Sequence, residues 1–91
     1  MNTDNKKDTI LIRDLIIESF PEETFLFADN FDPAIIGVCT KTLKVVYSKS
    51  KCIDILSKDM SPEEAVDYFD FNVDGSYMGD QTPIFVEDFL Y

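Results

Sequence analysis

The stretch AIIGVCTKTLKVVYS, residues 34–48, contains two apolar runs on either side of a short polar connection. The β-branched residues of both runs, at 34–39 and 43–48, suit the pleated surface of a sheet. Thr40-Lys41-Thr42 between them has the length of a hairpin loop. The stretch therefore predicts an antiparallel β-hairpin, and the other elements of the chain are placed relative to it.

Helical spacing of apolar residues both precedes and follows the hairpin. In residues 9–19 the apolar side chains recur every three or four positions, Asp8 is available as the N-cap, and Phe20-Pro21 should end the helix. Behind the hairpin, Ser48 or Ser50 can cap a second helix that ends near residue 58.

A third helix begins at Ser61-Pro62-Glu63-Glu64, where Ser61 is the N-cap and Glu64 stands at the third helical position. This spacing is a capping box, in which the two residues satisfy each other's backbone N–H groups. Apolar residues then recur at intervals of three and four residues, which predicts a helix that continues to Met78 and ends at Gly79. These apolar positions are Ala65, Val66, Phe69, Val73 and Tyr77.

We expect an α+β fold, in which a small antiparallel three-stranded sheet packs against two or three helices. The hairpin at 34–48 supplies two strands, and the apolar run after Thr82-Pro83 supplies the third, at residues 83–87. Polar residues 1–7 are expected to be disordered, and residues 8–91 to form a single domain, since 91 residues leave room for one.

Cysteine usage and hydropathy favour a reduced, cytoplasmic setting. Cys39 and Cys52 are the only cysteines, the start of the chain lacks the pattern of a secretion signal, and no apolar run approaches the length of a membrane span. Because one cysteine falls in a predicted strand and the other in a predicted helix, we expect buried thiols rather than a disulfide.

Charge is distributed unevenly along this acidic chain, whose formal net charge is −10. Residues 59–91 hold nine carboxylates and no Lys or Arg, whereas a short basic island interrupts the acidic sequence before them. Such a chain is a poor binder of nucleic acid or of an anionic membrane, and its natural charged partner is a basic protein surface. The island is expected to be a solubilising face or an internal complement to the acidic blocks; it comprises Lys41, Lys44, Lys49, Lys51 and Lys58.

Four carboxylates of the third helix share one stripe because they are spaced by three or four residues. No Lys follows any of them at four residues, so nothing local neutralises their charge. The stripe is either a solvated face or a partner-binding face. It consists of Glu63, Asp67, Asp70 and Asp74, and earlier carboxylates that would contribute are Glu22, Glu23, Asp29 and Asp32.

The same region contains a partial calcium-loop motif, DFNVDG at residues 70–75. Asp70, Asn72 and Asp74 stand at the first, third and fifth positions, with a glycine at the sixth, as such loops require. The twelfth position is Gln81 instead of the bidentate Glu, and Pro83 blocks the second helix of a calcium-binding hand. A calcium site is therefore a weak alternative, and no metal or cofactor is expected.

Asn72 is predicted to be a structural clamp rather than a catalytic group. On a continuous helix it would lie on the side of Phe69, be partly buried, and need hydrogen-bond partners near Thr82. Catalysis in general is not expected, because the chain has no His and its two cysteines lack an activating neighbour.

Residues 34–86 resemble a family of small proteins that recurs in bacteriophage and prophage genomes and is largely uncharacterised. The resemblance is carried mainly by EEAVDYFDFNV at 63–73, followed by Gly75, Tyr77, Gly79 and TPIFV at 82–86. It implies a phage-type product in the bacterial cytoplasm, with the helix continuing through Asn72 towards Gly79. It transfers no activity to any residue.

Together these observations predict a non-enzymatic acidic accessory protein that binds a host or phage protein through its carboxylate-rich face. An inhibitor of a nucleic-acid-binding or defence protein, acting as a nucleic-acid mimic, is one form that such a protein would take. The alternative of another class is a self-assembling module, such as a homodimer, built on exposed aromatics at Tyr68, Phe71 and Tyr91.

Overall fold

The computed structural model describes residues 12–74 and 79–89, which form an α+β fold as predicted. A single-turn 3₁₀ helix at Asp32–Ala34 leads into the first strand, and a π-helical turn at Phe69–Val73 continues the last helix. The main elements, in chain order, are α1 (Ile12–Ser19), β1 (Ile35–Val38), β2 (Val45–Ser48), α2 (Lys49–Leu56), α3 (Pro62–Tyr68) and β3 (Ile84–Val86). The predicted disorder of residues 1–7 and the Asp8 cap lie outside the described residues.

The predicted hairpin is confirmed, with β1 antiparallel to β2 and Ile35 opposite Tyr47. An irregularity between Ile35 and Gly37 shifts the register by one residue. Both strands are shorter than expected, since Ala34 belongs to the 3₁₀ helix before β1, and Leu43 in the connection adopts the left-handed conformation, with φ of 58°. Its amide donates to the Cys39 carbonyl oxygen over 2.7 Å, which closes the connection as a tight turn.

The third strand is confirmed, but its predicted antiparallel direction is wrong. β3 pairs with β2 in parallel, with Val46 opposite Ile84 and Ser48 opposite Val86, in the order β1-β2-β3. The reason is the connection, since α2, α3 and the π-helical turn return the chain to the end of the sheet where β2 began. Crossovers of this length are what parallel strands need.

One core lies between the sheet and the helices. Tyr47, Phe69 and Cys52 are fully buried in it. Phe85 stacks on the Tyr47 ring at 5.2 Å between centroids and meets Phe69 edge-on at 5.3 Å. The Tyr47 hydroxyl accepts a hydrogen bond of 2.7 Å from the backbone N–H of Ala28, which ties the segment before β1 to the centre of the sheet.

The predicted caps of α2 and α3 both form. Ser48 Oγ accepts from Lys51 N at the start of α2 over 3.1 Å. At the start of α3, Ser61 Oγ accepts from Glu64 N over 3.2 Å, while Glu64 Oε1 accepts from Ser61 N over 3.0 Å. This reciprocal pair is the predicted capping box.

The unbroken α-helix predicted from Ser61 to Met78 is wrong beyond Tyr68. Asp74 N donates to the Phe69 carbonyl oxygen over 2.8 Å, five residues back, so residues 69–73 form a wider π-helical turn. Residues 75–78, including the predicted helix end at Met78, lie outside the described part of the chain. Gly79 has φ of 100°, which suits glycine, and its carbonyl oxygen accepts from both N and Oγ1 of Thr82.

The segment after β3 is fastened to the start of α2. Ser48 Oγ donates to Asp88 Oδ1 over 2.6 Å, and Ser50 Oγ donates to the same oxygen over 3.2 Å. The Ser48 hydrogen bond is the main reason why the pKa of Asp88 lies below its usual value. Among the described residues, no helix has the length and apolar character needed to cross a membrane.

Candidate acidic groove and adjoining cavity

Two connected hollows lie where α2, α3 and the π-helical turn meet. The first, here called the acidic groove, is open and is lined by Asp59, Met60, Glu64, Asp67, Tyr68, Phe71 and Asn72. The second, here called the cavity, is deeper and measures about 410 Å³. The two share Asp59, Met60, Tyr68 and Asn72, so the groove opens directly onto the cavity.

The α2–α3 junction and the spacing of α3 build the groove. α2 ends at Leu56, and a turn brings Asp59 and Met60 to the N-cap of α3. From there, Glu64, Asp67 and Phe71 follow at intervals of three and four, which places them along one side of the helix and its π-helical extension. The capping box fixes where this row begins, because Glu64 is one of its two partners.

The groove combines carboxylates with exposed aromatic surface. Asp59, Glu64 and Asp67 are all exposed, and Phe71 and Tyr68 beside them are 81% and 45% exposed. An aromatic face beside a carboxylate is favourable for a Lys or Arg side chain, whose stem is apolar and whose head is a cation. The arrangement therefore suits a basic segment of another protein.

The four carboxylates of the predicted stripe lie in different surroundings. Asp67 lines the groove, whereas Glu63 and Asp74 are exposed but line neither hollow. Asp70 lies 3.7 Å from Lys49 Nζ, so its charge is partly offset by a lysine from the start of α2. Helical spacing reveals only lysines of the same helix, so it gives no sign of Lys49, which reaches Asp70 from another element.

The carboxylates that precede the hairpin in the sequence also lie in different surroundings. Asp29 lines the cavity and takes part in none of the ion pairs found among the described residues. Asp32 instead lies 3.3 Å from Arg13 Nη2, and the Arg13 guanidinium covers the Phe27 ring at 4.4 Å. Glu22 and Glu23 are exposed in the segment after α1 and line neither hollow.

Asn72 is exposed, so its predicted partial burial is wrong. That prediction assumed a regular α-helix, and the π-helical turn changes the direction of the residues it contains. Asn72 instead lies at the edge that the groove and the cavity share, and Thr82 and the buried Pro83 line the cavity with it. Its role as a clamp stays a prediction.

The calcium motif does not have loop geometry where the structure describes it. Residues 70–73 are helical, whereas a calcium loop needs alternate side chains of an irregular turn to converge. In the described residues no three His, Cys, Asp or Glu side chains lie close enough together to hold a metal ion.

The lysines of the basic island lie in different parts of the fold. Lys49 Nζ contacts Glu87 at 3.2 Å as well as Asp70, so for this lysine the prediction of an internal complement is confirmed. Lys41 and Lys44 lie in the connection between β1 and β2, and none of the basic residues that the structure describes lines the groove or the cavity.

The two cysteines differ in environment. Cys52 is fully buried, and burial raises the pKa of its thiol to about 12. Cys39 is partly exposed in the hairpin connection, where a hydrogen bond from the Thr42 side chain, and then backbone groups of Thr42 and Lys41, lower its thiol pKa to about 7. Neither cysteine lines the groove or the cavity.

Sequence reasoning missed Asp59, Met60 and Glu64 as groove residues. Asp59 and Met60 directly precede the capping box, so their place at a helix junction could have been inferred. Tyr68 and Phe71 were assigned to a self-association surface, and Tyr91 of that set lies outside the described residues.

Comparison with protein-family models finds no matching family, and comparisons with curated proteins and with solved structures find no significant similarity. The interpretation of the groove therefore rests on its own geometry.

Proposed function

We propose that this chain is a non-enzymatic acidic accessory protein that binds a basic surface of a host or phage protein in the acidic groove. The observation that carries the proposal is the combination of Asp59 and Asp67 with the exposed rings of Tyr68 and Phe71 in one open groove. Carboxylates supply long-range attraction and orientation, and the rings supply contact area for the apolar stems of Lys and Arg.

The cellular setting of the proposal rests on sequence. The resemblance of residues 34–86 to phage and prophage proteins supports a bacterial cytoplasm and a host or phage partner. A partner that otherwise holds nucleic acid fits best, because its basic surface is built to receive phosphates and the groove offers carboxylates in their place. Binding there would inhibit that partner by occupying its nucleic-acid site.

The test is affinity capture from bacterial lysate with matched charge-reversal variants. Wild-type protein is compared with an Asp59→Lys/Asp67→Lys double variant and with a Glu22→Lys/Glu23→Lys control. Both doubles change the net charge equally, but only the first alters the groove. We expect the same basic protein to be captured by wild type and control, to be lost with the groove variant, and to elute as salt rises.

Equal capture by both double variants would show that overall charge, not the groove, attracts the partner. If folded wild-type protein captures nothing at low salt, the proposed function is wrong.

A self-assembling module is the second candidate, and exposed apolar residues on α1 favour it. Ile12, Leu15 and Ile17 are 43%, 48% and 46% exposed, in addition to Phe71 in the groove. Light scattering across a dilution series separates the candidates, because a monomer at all concentrations excludes self-assembly. The proposed groove function predicts that Asp59→Lys/Asp67→Lys leaves the measured mass unchanged.

A further inference from the structure

The cavity differs in chemistry from the groove that opens onto it. Its lining has an apolar part, here called the apolar wall, which includes Phe31, Leu56, Pro83 and Phe85. Phe31 is only 7% exposed, and Phe85 is held in place by its stacking on Tyr47, so this wall belongs to the core. The rest of the lining is polar and includes Asn30, Asn72 and Thr82. The apolar wall is a place for an apolar group, since burying a cation against it would cost its hydration.

Two of the described carboxylates line the cavity. Asp29 belongs to the segment that precedes the 3₁₀ turn, and Asp59 lies where the cavity joins the groove. Both side chains are exposed. The combination of an apolar wall with exposed carboxylates is complementary to an apolar side chain with cations close to it on the same segment.

The cavity is large enough to hold one large side chain. Its volume of about 410 Å³ is at the lower end of the range of small-ligand sites, which begins at about 300 Å³. A basic surface that contacted only Asp29, Asp59 and the groove would leave the apolar wall in contact with water. Filling it adds hydrophobic stabilisation that charge attraction alone does not provide.

We propose that the cavity receives one large apolar side chain, of the size of Phe or Leu, from a partner segment that carries Lys or Arg on both sides of it. This inference rests on the proposed function, because the flanking cations contact the acidic groove and the carboxylates of the cavity. This apolar side chain, here called the anchor, gives the site its specificity, since a basic segment without it binds by charge alone.

Two synthetic peptides test the inference directly. One is a short oligolysine peptide with a single central phenylalanine, and the other is identical except for a central alanine. Both carry a fluorophore, and binding is measured by fluorescence anisotropy at low salt. We expect the phenylalanine peptide to bind at least about tenfold more tightly, the factor that corresponds to burying a Phe side chain. We expect both peptides to lose affinity equally as salt rises, because their charges are the same.

A variant that occludes the cavity supplies the second arm. Met60 lines both the groove and the cavity, so the readout is the ratio of the two peptides' affinities: Met60→Trp should bring that ratio close to one, whatever it does to the affinity that the two peptides share. Val66→Trp is the matched control, because Val66 is 37% exposed on α3 and lines neither hollow.

Equal affinities of wild-type protein for the two peptides would overturn the anchor and leave the proposed function standing. Absence of binding by either peptide would overturn both. An advantage of the phenylalanine peptide that persists in Met60→Trp, with its fold confirmed by thermal melting, would place the apolar contact outside the cavity and also overturn the inference.

Discussion

Replacement of Tyr47 by Phe removes a single oxygen from the centre of the fold. The hydroxyl of Tyr47 accepts from Ala28 N over 2.7 Å, Tyr47 is fully buried, and Ala28 is only 6% exposed. In Tyr47→Phe the ring can still stack on Phe85, but the Ala28 N–H is left without its acceptor. A buried donor without a partner costs about 1–3 kcal/mol, so we expect a loss of about 2 kcal/mol. For a domain of this size that lowers the melting midpoint by about 8–16 °C.

Urea denaturation measures this loss, with Tyr68→Phe as the control. Tyr68 is 45% exposed in the groove, so removal of its hydroxyl should change the free energy of unfolding by no more than about 0.5 kcal/mol. The slope of the free energy of unfolding against urea concentration should be the same for all three proteins, because the surface that unfolding exposes is unchanged. If Tyr47→Phe is as stable as wild type, the Tyr47–Ala28 hydrogen bond does not stabilise the fold, and the reasoning is refuted.

The same hydroxyl predicts an alkaline limit to stability. Burial raises the pKa of Tyr47 above its ordinary value of 10.0, and the nearby charge of Asp32 adds to the increase. When the pKa of a group is higher in the folded than in the unfolded state, the group contributes to the free energy of unfolding. The contribution is complete at pH values below the unfolded pKa and is lost as pH rises through the folded pKa. Wild-type protein should therefore lose more stability above about pH 10 than Tyr47→Phe, which has no group to ionise there.

Three further predictions concern single side chains outside the groove. With its thiol pKa near 7, Cys39 should react with a chromogenic disulfide reagent in native protein at neutral pH, whereas Cys52, buried and with a pKa of about 12, should react only in denaturant. Equal reaction rates for the two thiols in native protein would contradict the structure. Ser48→Ala should cost about 1 kcal/mol through loss of the α2 cap, and about 1.5 kcal/mol or more in addition through loss of the hydrogen bond to Asp88 Oδ1. Thermal unfolding measures the loss, and an unchanged midpoint would contradict both roles. The pKa of Asp88 is lowered in the folded state, so its carboxylate stabilises the fold at pH values above the unfolded carboxyl pKa. This stabilisation is lost as pH falls through the pKa of Asp88 in the folded state. The stability difference between wild type and Asp88→Asn should therefore shrink below about pH 4, and a difference that grows there would be the wrong sign.

Local signals in the sequence predicted the parts of the fold that local interactions form. The hairpin, the Ser48 cap and the Ser61–Glu64 capping box each depend on residues within a few positions of one another. The direction of β3 depends on a crossover that contains two helices. The apolar pattern within the strand itself does not reveal that direction. The length of the connection was a usable signal, since hairpin-type pairing does not need two helices between strands.

The candidate site was predicted only in part, for a related reason. Asp67 and Asp29 were identified from charge, but Asp59 and Met60 join them only through the packing of α2 against α3. Lys49 and Asp70 are 21 positions apart in the sequence, so helical spacing could not reveal their contact. The exposure of Asn72 depends on a π-helical turn, for which the apolar periodicity gave no warning.

Binding in the acidic groove is tested by the affinity of the phenylalanine-containing oligolysine peptide for three proteins: wild type, Asp59→Lys/Asp67→Lys and Glu22→Lys/Glu23→Lys. The two double variants carry the same net charge, so long-range attraction to the peptide is reduced in both. We predict that the groove variant loses at least about tenfold more affinity than the control at low salt, and that the gap narrows as salt screens the contacts. Equal losses in the two variants would contradict the acidic groove as the binding site.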